Sequence, residues 1–67
     1  MSEVEQLAKM ANQIAENFSF HDDAEERIAD HLTRFWAPSM RKMLVEYEQQ
    51  GESGLKSSVI AAIRKLA

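Results

Sequence analysis

No cysteine occurs in these 67 residues. Disulfides are therefore excluded, and thiolate metal sites with them. No apolar run approaches the roughly 20 residues that a membrane-spanning helix requires. No charged-then-apolar stretch with a small-residue cleavage site opens the sequence, so the expected location is the cytoplasm. Glycine and proline are scarce, at two and one. Gly51 and Gly54 do not stand in the spacing of a phosphate-cradling loop, nor does the lysine of that motif follow them. Basic residues number 8 against 11 acidic ones, giving a net charge of −3 and a pI near 5.2. That balance argues against a general nucleic-acid binder.

A chain this short forms one domain, expected to span residues 1–67. At this size only about 60% of the surface exposed by the unfolded chain is buried. Without disulfides or a structural metal, stability must come from helix packing or from contact with another chain, and self-association is one such route.

Charge is distributed unevenly. Residues 1–30 carry eight acidic and two basic side chains, whereas residues 31–67 carry three and six. Between His31 and Val45 there is no acidic residue at all, and the only Trp and the only Pro fall there beside three basic residues.

Helical periodicity runs throughout, and no alternation of period two is long enough for a strand. Ser2 and Glu5 stand at capping-box spacing, followed by an apolar stripe of Val4, Leu7, Ala11, Ile14, Ala15 and Phe18. Residues 19–23 break the pattern. Asp22 and Glu25 repeat the cap spacing ahead of a second stripe of Ala24, Ile28, Leu32 and Phe35. Pro38 disfavours helical geometry at Ala37 but suits the first turn of a new helix, so one helix should end near Trp36 and the next begin near Pro38. Met40, Met43, Leu44 and Tyr47 form the third stripe, and Gly51 is its terminator. A loop at residues 51–54 leads to a fourth helix with Leu55, Val59, Ala62, Ile63 and Leu66 inward. The expected fold is all-α, a small bundle of about four short helices.

Two apolar residues fall off these stripes. On a helical wheel Trp36 lies about 80° from Ile28, at the flank of the second stripe, and Ile60 lies about 140° from Leu55. A flank Trp can simply cover the edge of a small core; the alternative is a surface completed by another chain, since Trp and Arg are enriched among interface anchors.

Catalytic chemistry is poorly supplied. Two histidines and a few serines in cap and loop positions offer no nucleophile with an oriented base. His21 with Asp22 and Asp23, or His31 with Asp30, could be nominated for a metal. Adjacent residues on a helix point in different directions, however, and the i, i+4 histidine pair flanking a carboxylate is absent. No catalytic, cofactor-binding or metal-binding residue is assigned.

Two blocks resemble a known family. Lys9-Met10-Ala11-Asn12-Gln13-Ile14-Ala15, with Phe18 shortly after, is similar to the M-A-N-Q-I stretch of the delta subunit of cytoplasmic NAD-dependent formate dehydrogenase. His31, Phe35, Trp36, Pro38, Met40 and Arg41 match that family's H-x-x-x-F-W-x-P-x-M-R signature. The closing Gly54-Leu55 with Val59, Ala62 and Leu66 also resembles its C-terminal end. The chain departs from the pattern at Ala37 and Ser39, where many relatives carry an acidic residue and an arginine; if those side chains make charged contacts, this chain makes fewer of them.

The resemblance implies a non-catalytic accessory subunit that supports assembly or maturation. Its partner would be a large catalytic alpha subunit carrying a molybdenum pterin cofactor and iron–sulfur clusters, with FMN and NAD in companion subunits. On this reading Phe35 and Met40 lock the helix junction. Arg34, Trp36, Arg41 and Lys42, with Ile60, form the partner-binding surface. Two other readings use the same cations. In one, residues 28–47 are a small DNA-binding or regulatory module, although its usual glycine-containing turn is missing. In the other, the basic residues hold the anionic pterin dinucleotide during its delivery.

Overall fold

The serine-to-glutamate spacing at the start of the sequence produces a cap. In the computed structural model, which describes residues 2–51 and 54–66, the Glu5 N–H donates to Ser2 Oγ at 3.3 Å and the Ser2 N–H donates to Glu5 Oε1 at 3.0 Å. These reciprocal bonds open α1, Glu3–Asn17. Three more helices follow: α2, Ala24–Phe35; α3, Pro38–Gln49; and α4, Ser57–Leu66. Among the described residues there is no strand. The fold is an all-α bundle.

The start of α2 differs from expectation. Asp23, not Asp22, is the N-cap residue, and the Asp22–Glu25 box does not form. The Asp23 carboxylate accepts instead from Arg27 Nε at 2.7 Å, one helical turn on. At the end of α3, Gly51 has φ +79°, the left-handed conformation that glycine adopts without a steric penalty, and it stops the helix as its position implied. Glu52 and Ser53 of the expected loop lie outside the described residues.

Among the described residues twelve hydrophobic side chains are buried in the core, and five of them are alanines: Ala8, Ala11, Ala15, Ala29 and Ala62. Small side chains at the seams let helices approach closely. The volume is filled by Ile28, Leu32, Leu44, Val59 and Ile63, all essentially inaccessible to solvent. Burying each of these contributes about 1.5–3 kcal/mol relative to exposure. The most extensive helix pair is α2 with α4. Ile14, Phe18, Met40, Met43, Tyr47, Leu55 and Leu66 pack partly buried around this centre, as their stripes required.

Asn12 fastens the approach to α4. Its Nδ2 donates to the Gly54 carbonyl at 2.7 Å, and its Oδ1 accepts from the Lys56 N–H at 2.9 Å. One amide on α1 thus satisfies both a donor and an acceptor of the segment entering α4.

The core reading of Trp36 holds, and the inward facing expected of Phe35 is overturned. Trp36, expected at the flank, is 6% exposed and part of the core, whereas Phe35, expected to lock the junction, is 72% exposed. The cause is Ala29. Counted as a core residue, it lies about 100° from Ile28 and moves the centre of the buried arc away from Phe35. Leu32 and Trp36, at about 40° and 80°, then fall inside that arc. Phe35 and Ala24, at about 20° and 40° on the other side, fall at its edge.

Candidate functional site

The junction between α2 and α3 is built by two extended residues. Trp36 (φ −97°, ψ 143°) and Ala37 (φ −65°, ψ 150°) turn the chain, and Pro38 starts α3 with its ring in the first turn. A helix end leaves its last carbonyls without partners. Here Arg41 supplies them: its Nη1 donates to Leu32 O at 3.1 Å, Thr33 O at 3.2 Å and Trp36 O at 2.5 Å. A cation is also electrostatically favoured at a helix C-terminus. Pro38 and Arg41 therefore act together, one breaking α2 and the other closing it.

The residues expected to face a partner occupy different environments. Trp36 is in the core. The Nη1 edge of Arg41 is engaged with backbone carbonyls. Arg34 is exposed and lies 3.0 Å from the Asp30 carboxylate, an i, i+4 pair on the surface of α2. Lys42 is exposed and makes no ion pair among the described residues. Ile60 is half-buried on α4. Of these five, Arg41 and Lys42 border one cleft, whereas Trp36 lies in the core.

A different group does come together. Phe20 stacks near His21 with ring centroids 4.7 Å apart, and His21 lies 6.1 Å from Phe18. Phe18 meets His31 edge-on at 6.3 Å, and His31 lies 4.8 Å from Phe35. The five rings form a continuous ladder from the α1–α2 connection to the end of α2. Phe18 packs against the core, the two histidines are half-buried, and the ladder ends in exposed phenylalanines. Phe20 is 80% exposed.

The i, i+4 spacing of His31 and Phe35 places both on one helical face. Beside that face runs a stripe of ion pairs, Asp23–Arg27 at 2.7 Å and Asp30–Arg34 at 3.0 Å. The bond from Arg27 holds the Asp23 carboxyl below its ordinary pKa. An apolar centre with a charged, solvated border is the anatomy of a protein interface. The sequence signal for this ladder was present but weak. Phe20 sits where the apolar pattern breaks, His21 carries no signal beyond that of a possible metal ligand, and His31 and Phe35 stand four apart in the family signature.

The family model described as the NADH-dependent formate dehydrogenase delta subunit FdsD matches residues 6–63. The chain belongs to the FdsD family. No curated protein and no solved structure matches it.

The residues through which the FdsD resemblance was legible mostly build the fold. Ala11 and Ala15 are helix-seam residues, Asn12 latches the approach to α4, Trp36 fills the core, and Arg41 closes α2. His31 and Phe35 of the same signature point elsewhere, into the ring ladder. As for the clusters and metals of formate dehydrogenases, the donor set here does not fit them. The chain has no cysteine, and among the described residues no three His, Asp or Glu side chains converge to hold an ion.

Proposed function

We propose that this chain is a non-catalytic delta subunit of a molybdenum-containing formate dehydrogenase. It docks on the large catalytic alpha subunit through the Phe20–His21–His31–Phe35 face and so supports assembly or maturation of the enzyme in the cytoplasm. The molybdenum pterin cofactor, iron–sulfur clusters, FMN and NAD then belong to partner subunits. Family membership supports a place in a formate dehydrogenase complex.

The observation that carries the docking face is the exposure of two phenylalanines, 80% and 72%, at the ends of one ring ladder in a chain whose core is complete without them. Large aromatics left in water next to a charged border are what a partner subunit would cover. Arg34 sits on that border, paired with Asp30. Trp36 and Arg41 leave the docking surface for the junction. A nucleic-acid role is not favoured, since the net charge is −3 and Arg34 is matched by Asp30.

Co-expression of tagged alpha subunit with the F20S/F35S double variant tests the reading. The expected result is loss of co-purification, with the helical circular dichroism of the variant unchanged. Retention of the variant in the complex at wild-type stoichiometry would remove this face from the interface.

A further inference from the structure

The opposite flank of α2 borders a second feature. Thr33 is two residues from both His31 and Phe35, hence about 160° away around the helix. There α2, α3 and α4 border an open cleft of about 500 Å³. Arg41, Lys42 and Lys65 line it, none of its lining residues is acidic, and Pro38, Val45 and Leu66 give it an apolar wall. In a chain of net charge −3 this is a local reversal of sign. Neither lysine is ion-paired among the described residues.

Arg41 has a further property. All of its hydrogen bonds to the α2 carbonyls use Nη1. The edge formed by Nε and Nη2 has no hydrogen-bond partner among the described residues, and that edge presents two parallel N–H groups to an oxyanion. Because the guanidinium is already fixed, little side-chain freedom remains to be lost when an anion binds.

We propose that this cleft binds a small organic phosphate. Its phosphoryl oxygens would accept from the free edge of Arg41 and from Lys42, and its apolar body would rest on Val45 and Leu66. The cleft is within the range of ligand pockets, roughly 300–1,000 Å³. Three cations around one hollow match a multiply charged phosphoryl group better than a single carboxylate. Lys65 also borders the acidic start of α2, with Asp22, Asp23, Glu25 and Glu26 nearby, which draws part of its field away. Lys42 is therefore the stronger contributor. The site does not depend on what covers the ring ladder.

The test is an amide NMR titration of the full-length chain with ADP as the probe, alongside adenosine, sodium sulfate and a polyglutamate peptide at matched ionic strength. ADP should shift the amides of Thr33, Lys42, Val45 and Leu66. Affinity should fall about tenfold in K42Q and about threefold in K65Q, and it should fall again as added salt screens the exposed cations. Both lysines are exposed, so neither variant disturbs the core. Four results would each overturn the site: no cleft shifts at millimolar ADP, equal shifts with sulfate, unchanged affinity in K42Q, or tighter binding of the peptide. The last would make the cleft a seat for an acidic protein segment instead.

Discussion

Arg41 donates to the carbonyl of Trp36 at 2.5 Å, while the indole of Trp36 is buried among the residues of α2 and its neighbours. One residue thus receives the cap of α2 on its backbone and supplies core volume with its side chain. The α2–α3 junction is fixed from both sides, and substitutions on either side should register as lost stability before they register as lost binding.

Arg41→Ala leaves the Thr33 carbonyl and part of the demand at Leu32 and Trp36 to water. Hydrogen bonds from a charged donor contribute about 1.5–3 kcal/mol, and a loss in that range is expected. Arg41→Lys should recover only part of it, since an ammonium lacks the planar fork that reaches several carbonyls at once. Urea denaturation followed by circular dichroism reads both. A midpoint for R41A equal to wild type would show that the cap is not structural.

Trp36→Ala and Phe35→Ala should separate cleanly. Truncating a buried Trp costs about 3–5 kcal/mol. That is a large fraction of the stability of a domain this small, so W36A should be largely unfolded by near-UV and far-UV criteria. Phe35, at 72% exposure, has little to lose, and F35A should unfold within about 0.5 kcal/mol of wild type. A stable W36A with an unstable F35A would restore the arrangement that the wheel alone suggested.

That reversal shows how far the sequence could be read. The four helices, the start of α3 at Pro38 and the stop at Gly51 were all legible, because each rests on a local rule of capping, backbone restriction or periodicity. The facing of Phe35 and Trp36 was not. It turns on whether Ala29 counts as core, and an alanine gives no signal of its own until the helix against it is known. The capping role of Arg41 was hidden for a related reason: a basic residue beyond a proline gives no sign in one dimension of the carbonyls it reaches. Only the fold returns it to carbonyls eight and nine residues earlier. The ring ladder joins Phe18, Phe20 and His21 to α2 through the α1–α2 turn, a contact that no stripe on a single helix contains.

Asn12 makes a sharper test of the same kind. Its amide must donate to Gly54 and accept from Lys56, so Asn12→Ala should cost about 1–2 kcal/mol and release the Lys56 amide to hydrogen exchange. Asn12→Asp is nearly isosteric and keeps the acceptor. It nevertheless sets a carboxylate oxygen against the Gly54 carbonyl, so it should destabilise at least as much as alanine. A wild-type denaturation midpoint for N12D would reverse the assignment of the amide.

Acid should loosen the start of α1. The Ser2 N–H donating to the Glu5 carboxylate, with the Ser2 hydroxyl assisting, holds the Glu5 pKa below its ordinary 4.5. The folded state therefore prefers the ionised form. Its contribution is fully present above the unfolded pKa and is lost as pH falls through the lower folded value. Wild type should be more stable than E5A at neutral pH, and the difference should close on acidification below about pH 4.5. Asp23 is also held low, first by its bond from Arg27, so E5A keeps part of the acid sensitivity and E5A/D23N keeps less. Urea midpoints at a series of pH values from neutral to strongly acid check this. A gap between wild type and E5A that stays constant across the series would mean that the capping carboxylate does not couple to folding.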